Sequence, residues 1–387
     1  MKIVSLLYLF LLFPFFEPDY FIGVGSNINY IYSFFQLISI FIVFAIFIID
    51  LKGKKGSPII LWIILYNLFL LFSTFLNSNG NLLTNIYNSI EMIALCILIE
   101  HGVRNNLKVL MQSLLIIFFI QIFINLLTMF FYPNGMWISP VTRYWQNWFL
   151  GYDNNHIIIL LPYIILYYIY SQIYHNKLKF PFYFSLILVN TTVLKSWSAT
   201  SLVGIFSFDI YIFFPKLFKS KIFQFFNLIK GYIIGFFAIV VFRFQNLFSF
   251  IIEDVLKKDL TFSARTYIWD YIMRYIRNKP IFGYGIQSST VRFNLVKSVP
   301  SFHAHNLILE IFYRGGVVLV FIFSYIVILV GKQLKKYKDN PLAKFIGWNM
   351  FIYAIMLLVE FYEPKHYMYL LVIFYNINYL RGVSSNG

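Results

Sequence analysis

Residues 29–58 read NYIYSFFQLISIFIVFAIFIIDLKGKKGSP. The stretch from Asn29 onward carries no charge until Asp50 closes it. As a helix it would be about 33 Å long at 1.5 Å per residue, enough to cross a hydrocarbon core about 30 Å thick. Directly behind it come Lys52, Lys54 and Lys55, set in turn chemistry that runs from Gly53 to Pro58. An apolar run that stops at a short basic turn is the unit of a membrane protein, and this chain repeats it. Working outward, continuous apolar runs cover 3–16, 29–50, 58–76, 82–100, 107–131, 154–174, 180–195, 198–215, 229–245, 304–331, 342–360 and 366–381. The clearest breaks between them fall at Asn77–Asn81, Pro133–Gly135 and Asn340-Pro341. Ser196–Trp197 is a tighter connection that also fits a re-entrant feature. The expected fold is therefore all-α: a polytopic integral membrane protein with about twelve transmembrane helices.

Composition agrees. Only 12% of the 387 residues are charged while 60% are hydrophobic, against about 25% charged in a soluble domain. Polar groups are too few to cover such a surface, so lipid is the solvent for much of it. The first apolar run lacks a small-residue cleavage site, and Pro14 is followed by Phe15 and Phe16, so it reads as an uncleaved span. Cys96 is the single cysteine, which excludes an intramolecular disulfide.

Charge tests the topology separately, because short cytoplasmic loops keep Lys and Arg. One set of alternating loops holds eighteen of them, and the short loops of the other set hold three: Arg143, Lys195 and Lys365. The alternation stays regular to the last loop, which puts both termini in the cytoplasm. The chain then divides into helices 1–9 over residues 1–245, an external loop at 246–303, and helices 10–12 with a short tail over 304–387. That external loop is net basic, with Arg243 at its edge and Lys257, Lys258, Arg265, Arg274, Arg277, Lys279, Arg292 and Lys297 within it. The net charge of +16 is thus spent on orientation and on an anionic substrate, and nucleic acid is not an expected partner.

Within the loop, Ser263 is placed to cap a helix. Tyr267/Ile268, Tyr271/Ile272 and Tyr275/Ile276 recur at four-residue spacing, and the helix should stop by Lys279, before Pro280. Its apolar stripe suits a helix lying on the membrane surface or against the bundle, and at a surface its arginines would meet lipid headgroups. The alternative is a phosphate site built on Arg265, Arg274 and Arg277, since guanidinium matches phosphate oxygens.

A second cluster, Ser301-Phe-His303-Ala-His305-Asn306, stands at the mouth of the tenth run. Histidine titrates near neutrality. Alternate residues do not share a helical face, so one His at most should point into a site. Two His without Cys or a nearby acidic ligand pair make a poor metal centre, and neither metal nor cofactor is expected.

The third cluster, Pro133 to His156, holds Trp137, Arg143, Trp145, Trp148 and Asn154. Its aromatics suit either the membrane interface or a sugar ring. Lys195, with Ser196, Ser198 and Thr200, marks another polar external turn. Glu91, Glu310, Arg314 and Glu360 are the ionisable groups inside runs, where charge is costly. Glu310 and Arg314, four apart, are expected to pair.

Ser263-Ala-Arg265, Trp269, Pro280-Ile-Phe-Gly283-Tyr-Gly285, His305-Asn306 and Gly315-Gly316, in this order, resemble the O-antigen polymerase and ligase superfamily of envelope glycosyltransferases. Gly151 to His156 also looks like that family's Asn-rich entry to a span. The resemblance is strongest over residues 263–316. It departs at Lys195–Ser201, where the family often carries a second Arg; Lys195 or Arg143 would have to supply that charge.

The resemblance implies metal-independent polymerisation of undecaprenyl-diphosphate-linked oligosaccharides into O-antigen or capsule, outside the bacterial inner membrane. It also implies a chain-length regulator and a flippase as pathway partners. His305 and Arg265 would be catalytic. Arg274, Arg277, Arg143, Lys195, Asn306, His303, Asn154 and Trp269 would bind substrate. A ligase acting on lipid A–core shares the same donor. A polysaccharide flippase is the non-enzymatic rival. Transporters show internal repeats and midplane charges, whereas the polar residues here gather in one loop.

Overall fold

The computed structural model describes residues 2–24, 27–53, 56–139, 146–244, 265–293 and 301–382. Each of the twelve apolar runs is helical there. Among the described residues seven helices are long and apolar enough to cross a membrane: Asn27–Lys52, Pro58–Phe75, Leu82–Asn105, Leu107–Phe131, Asp153–His175, Leu307–Lys336 and Pro341–Val359. Shorter apolar helices occupy Ile3–Phe16, Ala199–Phe213 and Phe225–Val241. The protein is an all-α polytopic membrane protein. Its outward-facing Phe, Leu and Ile side chains, such as Phe41 (76% exposed) and Leu83 (82%), have lipid as their natural neighbour.

The Ser196–Trp197 connection is a tight turn between helices Phe180–Ser196 and Ala199–Phe213, with Trp197 in the left-handed region at φ 52°. Sequence patterning did not anticipate a small antiparallel sheet in the Pro133–His156 stretch, built from Trp137–Ile138, Gln146–Trp148 and Gly151–Tyr152.

Contacts gather the chain into two compact units. One comprises Met1–Ser57, Ala94–Phe213 and Lys365–Gly387; the other comprises Pro58–Ile93 and Phe214–Pro364. The second contains the amphipathic helix and the His cluster. Of the external loop, residues 246–264 and 294–300, with Lys257, Lys258, Ser263 and Lys297, lie outside the described residues. The predicted helix forms at Arg265–Asn278 and buries Ile268, Trp269, Ile272 and Ile276.

The Leu307–Lys336 helix breaks at Gly315 and Gly316, where Gly316 takes φ 62°. The break leaves the carbonyls of Tyr313 and Arg314 without helical partners, and the Pro280–Gly285 loop supplies donors for them. Tyr284 N–H donates to Tyr313 O at 2.8 Å, Gly285 N–H to Arg314 O at 2.8 Å, and Val317 N–H to Pro280 O at 2.8 Å. Ser73 Oγ lies 2.5 Å from Phe282 O and 2.8 Å from Arg314 O, so its one hydrogen is shared between the two carbonyls. Buried backbone groups need such partners, so the glycine-rich motif is the plug for the kink. Gly283 and Gly285 both have positive φ, and a Cβ on either would collide with backbone. The loop thereby fixes Arg314 and the span entrance that carries His305.

Candidate functional site

Glu360 organises the site. It follows directly on the Pro341–Val359 helix and is 4% exposed. Its Oε2 accepts from Arg265 Nη2 at 2.7 Å, and its Oε1 meets His305 Nδ1 at 2.7 Å. The two residues proposed from sequence as catalytic thus share one carboxylate. A carboxylate only accepts, so Nδ1 carries the hydrogen and Nε2 is the imidazole's basic nitrogen. Among the described residues no hydrogen bond to Nε2 is formed, and the His305 side chain is 26% exposed. Burial would raise the Glu360 carboxyl, but the His305 hydrogen bond and the charge of Arg265 outweigh it and keep the group ionised.

The backbone aims the imidazole. His305 sits at φ 46°, in the left-handed region that L side chains rarely adopt. Such strain needs over-determined surroundings. Here they are Asn306, whose Oδ1 accepts from Leu309 N–H at 2.9 Å and whose Nδ2 donates to Leu358 O at 2.8 Å, and Glu310, which accepts from Ala304 N–H at 2.8 Å.

This corrects the reading of Asn306 as a substrate contact: it is fully buried and both amide atoms are used, so it caps the helix and ties it to its neighbour. Trp269 needs the same correction. It is 0% exposed, packed with Ile268, Ile272 and Tyr313, and has no face open to a sugar. The expectation that only one His could face the site also fails, because residues 301–306 precede the helix. The rings of His303 and His305 lie 4.2 Å apart.

Burial pushes the His303 imidazole down to about 3, helped by His305 and Arg292 and opposed by Glu360 and Glu310. At neutral pH it is uncharged and a weak base, ill suited to take a proton.

The arginines separate. At about 100° per residue, Arg265 lies on the face of Trp269, Ile272 and Ile276, while Arg274 is half a turn away and Arg277 about a third. Arg274 and Arg277 are exposed, and Arg274 lies 5.4 Å over Tyr271. The structure therefore does not gather them with Arg265 into one clamp. Arg243 pairs with Asp270 at 2.6 Å.

Sequence reasoning missed Arg292, which looked like one more basic residue of the loop. It is 6% exposed and donates from Nη2 to Glu310 Oε2 at 2.6 Å. Glu310 also accepts from Arg314 Nε at 2.7 Å, which is the expected four-residue pair, and Arg314 reaches Glu363 through both Nη atoms at 2.8 and 2.7 Å. This chain of charges floors a cavity of about 230 Å³ that His303, Gln287, Thr84 and Asn88 also line.

In the other unit, Asn154 Oδ1 accepts from Ser198 Oγ at 2.5 Å, and Lys195 is exposed with its Nζ 4.5 Å over Phe130. Arg143 lies outside the described residues. Trp148 is turned inward and donates to Tyr132 O at 2.8 Å.

His303, His305 and Glu360 place ligand atoms within 4.8 Å of one another, a set that sequence separation concealed. Zinc accepts such donors. Yet Glu360 is already bridged by a guanidinium and an imidazole, and a dication there would face Arg265 at close range. The set fits a carboxylate-oriented imidazole better than a metal centre.

The described helices present Arg265 and the carboxylate-held His305 together at the entrance of a span in a polytopic membrane scaffold. Residues 181–324 match the family model described as O-antigen ligase, a stretch that includes Arg265, the Pro280–Gly285 loop, His305 and the glycine break. This match supports the O-antigen polymerase/ligase superfamily, whose members are of glycosyltransferase type. No curated protein matches the chain.

Proposed function

We propose that the protein is a glycosyltransferase that polymerises undecaprenyl-diphosphate-linked oligosaccharide repeat units, on the outer side of a bacterial cytoplasmic membrane, with both termini inside. The observation that carries the reading is the bridging of Arg265 and His305 by Glu360. The acceptor hydroxyl gives its proton to His305 Nε2 as its oxygen bonds to the anomeric carbon of the donor glycan. The bond from that carbon to the diphosphate breaks, and the lipid diphosphate leaves with the bonding electrons. Among the described residues Arg265 spends one donor, Nη2, on Glu360, and its other N–H groups would answer the charge that develops on the leaving group. The description of the matched family as O-antigen ligase favours a second reading, transfer of the same donor glycan to lipid A–core. Purified protein given lipid-linked repeat units separates the two: a ladder of products supports polymerisation, and product only when lipid A–core is added supports ligation.

Arg265→Ala is expected to reduce transfer by about 10²–10³-fold, the usual cost of one preorganised donor to developing charge. Arg265→Lys should recover little, because a point charge replaces a planar fork. Near-normal transfer by Arg265→Ala protein at normal membrane abundance would remove this residue from the site. Orientation has its own check. Reporter fusions after Gly56 and within 278–297 should show opposite sidedness, and the same sidedness at both would overturn the topology.

A further inference from the structure

At the end of the Leu307–Lys336 helix opposite His305, a cavity of about 470 Å³ opens between three helix ends. Its walls are the first turns of Phe225–Phe236, the last turn of Leu307–Lys336, and the first turn of Pro341–Val359. Lys230, Lys335, Lys338 and Lys344 stand around it, and no acidic residue lines it. Among the described residues none of the four is in an ion pair. The stretches 214–230 and 331–345 together carry nine lysines against one acid, Asp339. Besides the lysines, Phe225, Phe226, Leu334 and Ala343 give the wall an apolar part, and Gln224 and Asn227 complete it. Phe225 is seated on Gly331, where any side chain would overlap its ring.

We propose that this cavity binds an anionic diacyl phospholipid of the surrounding bilayer, its phosphate among the four lysines and the start of an acyl chain against Phe225 and Phe226. Basic pockets between transmembrane helices suit such headgroups, and each lysine near the surface adds to the attraction. The apolar wall favours a lipid over free phosphate, which has nothing to place there. The neighbouring short helices Pro215–Lys219 and Lys221–Phe223 expose Leu217 (58%) and Ile222 (64%) beside Lys216, Lys219 and Lys221, while Phe218 and Phe223 pack on Trp348 at 4.8 and 5.7 Å. A segment with apolar side chains and lysines side by side lies at a membrane surface, which puts the cavity at headgroup depth.

The test is native mass spectrometry of the full chain in detergent, with added phosphatidylglycerol or phosphatidylcholine. The wild type should retain phosphatidylglycerol preferentially. The preference should fall about fivefold for each lysine removed by Lys→Gln, so that Lys335→Gln/Lys338→Gln loses part of it and the fourfold variant nearly all. The matching Lys→Arg variant should keep it. Unchanged preference in the fourfold Gln variant would overturn the proposal. So would displacement of the lipid by millimolar inorganic phosphate, which would make this a site for the free anion. Thermal melting alongside shows that each variant is folded, and Lys335→Gln/Lys338→Gln, changed only at exposed positions, carries the test if the fourfold protein is not.

Discussion

Replacing His305 by Gln is expected to lower glycosyl transfer by about 10²–10⁴-fold, the contribution typical of a positioned general base, with donor binding little changed. Glutamine can still donate toward Glu360 and so keep the segment in place, but it has no nitrogen able to take the hydroxyl proton. If the ring served only to hold Glu360, the same substitution would cost little. His303→Gln should be mild by comparison, because that imidazole is held down to about 3 and is a weak base at neutral pH. Glu360→Gln should fall between the two and touch both partners: it weakens the orientation of His305 and frees Arg265 from its counter-charge. Its pH–rate profile should move, a readout that loss of packing alone would not give. The assay is product formation from purified protein and lipid-linked repeat units, with and without chelator. Substantial product from His305→Gln would end the proposal of a general base, and a chelator-sensitive wild type would turn attention to the ligand set of His303, His305 and Glu360.

The helices were legible because bilayer thickness and backbone hydrogen bonding leave an apolar run of twenty residues little else to become. The Arg265–Asn278 helix was legible too, since its isoleucines repeat every fourth residue and Pro280 stops it. The same periodicity, followed further, would have separated Arg274 from Arg265 and put Trp269 on the buried face, one turn beyond Arg265. What local pattern does not encode is partnership across distance. Glu360 meets Arg265 and His305 from 95 and 55 residues away, and Arg292 meets Glu310 across a loop. Nothing in the composition around Arg292 marks it as a guanidinium that turns inward. The glycine motif was recognisable as a motif, while its task became visible only with the carbonyls it satisfies at the Gly315–Gly316 break.

Glu310→Ala is expected to destabilise the protein by about 3–5 kcal/mol, the cost of leaving a buried charge without its partner. One carboxylate at 1% exposure answers two guanidinium groups and the Ala304 amide. Arg314 would keep Glu363, but Arg292, its side chain 7% exposed, would lose its one carboxylate among the described residues and keep neutral partners, Phe302 O at 3.1 Å from Nε and Tyr313 with its ring at 4.2 Å. Glu310→Gln keeps the volume and should lose less. Arg292→Met/Glu310→Leu should recover much of the loss, because apolar side chains of similar size avoid the desolvation that a lone arginine suffers. Thermal melting of the purified variants in detergent is the measurement, since activity would also respond to the released Ala304 amide and the His segment it holds. Melting of Glu310→Ala at the wild-type temperature would show that the network is solvated in the working protein. Equal losses for Glu310→Ala and the double variant would assign the effect to packing, with no part for the orphaned charge.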